Sequence, residues 1–350
     1  MIIISNRFHT KKTENKNELV NNLTSKFIEM RNEECNIENK NNEELYSEDT
    51  ISVLTSEDWT ETDTNKKSET RLLEIPSVKH QDIKQIIYDM IVSPTQVYNK
   101  WARKTNQTEH PPLGYAAQHI VSLLINEKGT KSAARGLDIE SGSEIKTCSR
   151  VGQTDTCKKC KSRVYKTESI CNKCKSDNIQ RKQDSKWLFV VHNKDDIDKL
   201  CKNERILLFL EDYPEFEKRN FQTIRIQLFE IYLNNKRHKN FQKIIEQYFE
   251  EIYLVNKKNG KKSAPKNFWP YRYEFYMCLP LLTFSATIEN IYNAKSNDIV
   301  INKYINADVD RNSVEPELMP KYLCGYTGDG YYSVEEILTL PLRQIKTRNS

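Results

Sequence analysis

Apolar residues recur at helical spacing in three stretches of the chain. Ile83, Ile86, Ile87, Met90 and Ile91 form one stripe, and Ala117, Ile120, Val121 and Leu124 form a second, which predicts a helix from Pro112 to Asn126. Phe241, Ile244, Ile245, Tyr248, Phe249, Ile252 and Tyr253 make a longer stripe, rich in aromatics on two faces. Core burial is the expected use of each, although the third would also serve as a contact between two copies of the chain. Elsewhere the pattern is that of strands, with runs at Trp187 to Val191, Ile206 to Leu210 and Ile224 to Leu233. Late in the chain, Ser333-Val334-Glu335-Glu336 is a capping box ahead of Ile337 and Leu338. The glycines before it, Gly325, Gly328 and Gly330, read as loop formers, because no strand-to-helix context makes them a phosphate cradle.

The segment Asp138-Ile139-Glu140-Ser141-Gly142-Ser143-Glu144-Ile145-Lys146 predicts a tight hairpin with Ser-Gly-Ser as its reversal. In that register Glu140 pairs with Glu144 and Asp138 with Lys146. All four charged side chains then share one face, and Ile139 and Ile145 share the other. Together with the three strand runs, the hairpin gives an α/β (α+β) fold: a mixed sheet flanked by helices, with the 112–126 helix behind the hairpin. Gln118 faces away from that helix's apolar stripe and Glu127 closes the helix. Both read as solvated residues, although either would reach a metal site on that side.

Two Cys-x-x-Cys pairs, Cys157/Cys160 and Cys171/Cys174, follow the hairpin. A tetrahedral zinc needs four thiolates, and a two-residue gap lets each pair present two sulfurs to one ion. The intervening residues 161–170 suffice for a small hairpin, so the segment 151–183 reads as a zinc knuckle inserted between sheet strands. The same cysteines would also form disulfides, but the sequence shows no secretory signal and the other five cysteines, Cys35, Cys148, Cys201, Cys278 and Cys324, show no paired framework. Twelve Lys or Arg against four Asp or Glu lie between Lys146 and Lys186. Such a field suits a phosphate backbone. A purely structural staple with solvated lysines accounts for it equally well.

The 350 residues suffice for a large core and two units, 29% charged residues with a mean hydropathy of -0.75 speak for a soluble protein, and no apolar run approaches membrane-spanning length. The net charge of +5 conceals an asymmetry: residues 1–79 hold 11 basic and 16 acidic side chains, the remainder 43 and 33. Residues 1–79 therefore read as a polar, acidic, partly mobile segment, although Leu19, Val20, Leu23, Phe27 and Ile28 nearly keep a helical stripe. Residues 80–235 form the expected core, and 236–350 a helical or mixed region for recognition or dimerisation.

Asp138, Glu144 and Lys146 suit metal-assisted phosphodiester hydrolysis. Two carboxylates would hold one or two Mg2+ ions, and a lysine beside them would orient or deprotonate the water or offset charge on the phosphoryl oxygens. A solvated hairpin face with ordinary charge pairing has the same composition. Gly114 to Leu124, Gly129 to Gly136, Asp138, Glu144 to Arg150, the two cysteine pairs and Asp184 to Phe189 together resemble the MamI family of type II restriction endonucleases, within the PD-(D/E)XK nucleases. Leu137 stands where the superfamily's proline would precede Asp138. The resemblance implies Mg2+-dependent cleavage of double-stranded DNA at a palindromic site, continuous or interrupted. It places Asp138, Glu144 and Lys146 as the catalytic residues and Asp138 and Glu144 as Mg2+ ligands. A two-fold site asks for a homodimer, and the expected location is the cytoplasm of a bacterium or archaeon.

Candidate DNA contacts are Lys131, Arg135, Ser149, Arg150 and Arg272. The tracts Asn234 to Asn240 and Lys257 to Lys262 would follow a backbone or serve as solvated loops. Phe268 to Tyr273 suits core or subunit contact first and base readout second. Two other readings keep many of these features: a DNA repair or structure-specific nuclease, which would recognise DNA shape, and a zinc-ribbon protein that binds DNA without cutting it.

Overall fold

The computed structural model describes residues 77–131, 137–150, 153–182, 185–262 and 264–343; the stripe from Leu19 to Ile28, Cys35 and Arg135 lie outside them. In order, the elements are α1 (Ser77–Ile87), α2 (Ser93–Thr105), α3 (Gly114–Ile125), β1 (Glu144–Ser149), β2 (Asp155–Cys157), β3 (Arg163–Val164), β4 (Ile179–Gln180), β5 (Trp187–Phe189), α4 (Lys194–Cys201), β6 (Arg205–Asp212), β7 (Ile224–Tyr232), α5 (Asn240–Tyr248), α6 (Leu254–Lys258), β8 (Lys266–Phe268), α7 (Tyr273–Met277), β9 (Leu281–Ile288), β10 (Ile299–Tyr304) and α8 (Val334–Thr339). A wide turn at Tyr88–Val92 joins α1 to α2, where Pro94 cannot supply the N–H that a regular helix would use.

A five-stranded sheet runs β1-β6-β7-β9-β10, with β1 parallel to β6 and every other pair antiparallel. All of β6 is buried, as expected of a strand covered on both faces. Its alternate residues enter two cores. Leu207 and Phe209 join Ile145, Ile226, Leu228 and Phe284 beneath α1 and α3. Ile206, Leu208 and Leu210 join Cys148, Phe229 and Ile231 beneath β5, α5 and α7. The result is three layers, with the sheet in the middle. Its last two strands come from 281–304, so the sheet draws on both sides of residue 235.

Three expectations are corrected. Asp138 to Lys146 is not a two-stranded hairpin: Gly142 N–H bonds Ile139 O in a tight turn, Ile139 pairs with Gly129, and β1 pairs in parallel with β6. A parallel neighbour requires a long crossover, and the cysteine segment, β5 and α4 supply it. The Trp187 run is shorter than expected and leaves the main sheet, with β5 pairing to β8. Residues 161–170 hold one strand, β3, which pairs back to β2 across the first Cys-x-x-Cys, while β4 flanks the other edge of β2. Of the long aromatic stripe, Phe241, Ile244, Ile245 and Tyr248 are buried, whereas Phe249–Tyr253 contains no buried residue. The Ser333–Glu336 capping box forms as expected. Among the described residues, no helix is long and apolar enough to cross a membrane.

Candidate active site and cysteine cluster

Strand β1 is the sheet's edge, and its alternation places Glu144 and Lys146 on one face and Ile145 in the core on the other. Lys146 Nζ lies 2.5 Å from Glu144 Oε1 and 6.0 Å from the centre of the Phe189 ring. Asp138 reaches the strand from beside it. Its Oδ2 accepts the Ile145 N–H at 2.8 Å, a use for a backbone donor that an edge strand leaves unpaired. Its Oδ1 accepts from Gln118 Nε2 at 2.6 Å. The structure therefore brings Asp138, Glu144 and Lys146 together, although by a turn and an edge strand rather than by a hairpin. Ile139 and Ile145 do share a core. Glu140 sits exposed in the turn, apart from the strand face.

Burial pushes the Glu144 carboxyl above the ordinary glutamate range, and the nearby Asp138 charge adds to this. The Lys146 ammonium offsets it only in part. A divalent cation would relieve both effects, and both carboxylates are the hard oxygen ligands that Mg2+ prefers.

Two clefts meet at this edge. One, of about 580 Å³, is lined by Glu144, Lys146, Phe189, Asp196, Lys199 and Lys202. The other, of about 710 Å³, is lined by Asp138, Gln118, His119, Glu127, Lys128 and Lys131. Gln118 and Glu127, read from the sequence as solvated, are thus both part of the site's surroundings. Glu127 accepts from Arg205, whose guanidinium also donates to Ser143 Oγ at 3.0 Å, the residue before Glu144. Lys128, Lys199 and Lys202 were not singled out by sequence; only their place in the fold sets them apart from other surface lysines.

The remaining candidates lie elsewhere. Ser149 and Arg150 follow at the other end of β1, where Arg150 pairs with buried Asp212 at 2.9 Å and Ser149 bonds buried Glu211. Arg272 is exposed beside Trp269, Tyr273 and Glu274, in a crevice separate from both clefts. In the Asn234 to Asn240 tract, Arg237 donates to Val314 O and Arg311 O, and His238 is buried, where desolvation lowers its pKa to about 4, so these two side chains are structural rather than phosphate contacts.

The four knuckle sulfurs gather within 4.8 Å of one another, with Cys157 to Cys174 and Cys160 to Cys171 at 3.5 Å. None of the four is in a disulfide. A tetrahedral ion with zinc–sulfur bonds of about 2.3 Å needs sulfurs about 3.8 Å apart, so the cluster fits one. The two turns also repeat. Cys157-Lys158-Lys159-Cys160-Lys161-Ser162 and Cys171-Asn172-Lys173-Cys174-Lys175-Ser176 each close with a left-handed lysine donating to the first cysteine's carbonyl, at 2.9 and 2.8 Å. That repeat was legible in the sequence and was missed.

A buried polar network fixes the knuckle to the body. Asp155, fully buried, accepts from Lys166 Nζ at 2.5 Å and Arg181 Nη1 at 2.7 Å, and Glu109 accepts the Lys166 N–H at 2.6 Å. The Tyr165 hydroxyl lies 3.0 Å from Ala102 O at the end of α2. Two of the segment's basic side chains thus serve the fold and not its surface.

No curated protein and no solved structure matches the chain. The profile described as MamI restriction endonuclease matches residues 100–322, more than half of the chain, including the β1 edge, the cysteine knuckle and the whole five-stranded sheet. By that match, the chain belongs to the MamI restriction endonuclease family.

Proposed function

We propose that the chain is a type II restriction endonuclease: an Mg2+-dependent enzyme that hydrolyses double-stranded DNA at a short palindromic site, continuous or interrupted. It acts as a homodimer in the cytoplasm of a bacterium or archaeon, with zinc as its structural ion. One observation carries the reading: Asp138, Glu144 and Lys146 converge at the sheet's half-buried edge strand, between two lysine-lined clefts.

Asp138 and Glu144 would hold the Mg2+, which when bound polarises the scissile phosphate and lowers the pKa of a water. Lys146 has two tasks in this arrangement. Its ammonium fixes the Glu144 carboxylate at 2.5 Å and offsets negative charge developing on the phosphoryl oxygens. Lys128 and Lys131 in one cleft and Lys199 and Lys202 in the other would hold the phosphates that flank the scissile one. The knuckle leaves β1 three residues after Lys146 and returns through β5, whose Phe189 faces that lysine. Its exposed Lys158, Lys159, Lys161, Arg163, Lys173 and Lys175 are available to the same duplex. Four clustered thiolates favour zinc over a hard ion.

The test is a digest of DNA of known sequence with Mg2+, followed by sequencing of the ends. Discrete ends at one recurrent site are expected. Cutting confined to branched or mismatched DNA would replace this reading with a repair nuclease, and tight binding without cutting would replace it with a zinc-ribbon binding protein.

A further inference from the structure

Asp138 lies in a bend outside helix and strand, where its own backbone gives its carboxylate no fixed direction. Two donors supply one. The Ile145 N–H takes Oδ2 at 2.8 Å and Gln118 Nε2 takes Oδ1 at 2.6 Å. The Ile145 donor belongs to the strand that carries Glu144. Gln118 is anchored independently, on α3, whose Ala117, Ile120 and Val121 are wholly buried in the core. Just beyond the helix, Glu127 is tied through Arg205 to Ser143. The helix is therefore a rigid base, and the amide is the strut between it and the carboxylate.

The residue type matters as much as the contact. A glutamate at 118 would set a second negative charge against Asp138, and a lysine would neutralise the carboxylate and compete with a cation for it. An amide donates one hydrogen bond without adding charge. The amide orientation follows from the same chemistry, since its oxygen against a carboxylate oxygen would be repulsive.

We propose that Gln118 is a positioning residue for the nuclease reaction: it fixes the Asp138 carboxylate while leaving its full charge to a divalent cation. This rests on the reading of Asp138, Glu144 and Lys146 as the nuclease centre. The Gln118→Met variant keeps the side chain's length and removes the donor. In full-length protein bound to an uncleavable phosphorothioate duplex, Mn2+ affinity followed by electron paramagnetic resonance should fall about tenfold, as loss of a charge-assisted hydrogen bond implies. Half-saturation of cleavage by Mg2+ should rise by a similar factor, while DNA affinity without divalent ions stays within about twofold. Gln118→Lys should weaken Mn2+ further than Gln118→Met. Asp138→Ala is the reference and should lose both Mn2+ binding and cutting. Wild-type ion affinity in Gln118→Met, beside a dead Asp138→Ala, overturns the positioning role and leaves the nuclease centre standing. A lysine variant that binds Mn2+ as the wild type does overturns the charge argument, and cutting by Asp138→Ala overturns the centre itself.

Discussion

Lys146 Nζ stands 2.5 Å from Glu144 Oε1, yet this ion pair does not bring the glutamate down to its ordinary range. Burial raises the carboxyl, with the Asp138 charge adding to it, and together they outweigh the lysine. A group raised in the fold holds its proton more tightly there than in the unfolded chain. Its contribution to stability is fully present below the unfolded value, near 4.5, and is lost as pH rises through the higher folded value.

The consequence is measurable without any cutting. In the absence of divalent ions, Glu144→Gln should melt above the wild type at neutral pH, and the gap should close as the pH falls below about 4.5. Added Mg2+ should raise the wild-type Tm and leave the variant's unchanged. A wild type that melts above the variant at neutral pH in chelator would show that Glu144 is not under electrostatic stress.

Asp138→Ala, Glu144→Ala and Lys146→Ala should each reduce cleavage by ~10³-fold or more, with DNA binding largely kept, because each removes ion or phosphate activation rather than backbone contacts. Glu140→Ala should cost far less, since Glu140 lies exposed in the turn and lines neither cleft. Single-turnover cleavage rates decide between them. Equal losses at Glu140 and Glu144 would mean that the wrong carboxylate has been placed at the centre.

What was legible in the sequence follows from what periodicity encodes. The α3 stripe and the β6 and β7 runs were readable because each element's own residues alternate between core and solvent, or enter two cores. The candidate catalytic residues, Asp138, Glu144 and Lys146, were readable as types at a spacing. Their arrangement was not, because the partner of β1 is β6, 62 residues further along the chain, and Ser-Gly-Ser makes the same tight turn whether or not a hairpin follows. Gln118 and Glu127 failed for a related reason: the stripe shows which side of α3 is core and says nothing of what lies beside its polar flank. A count of lysines and arginines likewise could not separate Lys166 and Arg181, held by buried Asp155, from those at the knuckle's surface.

If the four cysteines hold zinc, as proposed, the knuckle has two supports, one metal and one ionic, and they should fail differently. Metal analysis should find one zinc per chain that survives dialysis, and Cys171→Ser should loosen 155–182 in hydrogen exchange before the sheet is affected. Asp155→Ala leaves Lys166, only 1% exposed, as an uncompensated buried cation, at a cost of about 3–5 kcal/mol. Burial already pulls the Lys166 ammonium down and Asp155 opposes it, so removing Asp155 should release Lys166 and Tyr165 from the body. Zinc should remain bound, because the sulfurs lie on the two turns and not on this network. Loss of zinc from Asp155→Ala at unchanged global stability would show that the two supports are one.

The lysines of the two clefts give the last prediction, because they separate holding DNA from cutting it. Lys128 and Lys131 line the Asp138 side, while Lys199 and Lys202 line the Glu144 side, and none belongs to the Asp138, Glu144, Lys146 cluster. If each neutralises one phosphate of a duplex laid across the β1 edge, replacing either pair with alanine removes two counterion-releasing contacts. The slope of log K against log salt should then become shallower by about 2, with affinity falling uniformly over specific and unrelated duplexes. Cleavage at saturating DNA and Mg2+ should change little, since neither pair touches the two carboxylates. Comparing the pairs tests the path of the DNA. Equal slope changes mean that the duplex crosses both faces of the edge strand; a change at Lys128 and Lys131 alone would put it along α3 and leave the other cleft to some different use. No change at either pair, with cutting intact, would move the backbone contacts to the exposed knuckle lysines and remove the clefts from DNA binding altogether.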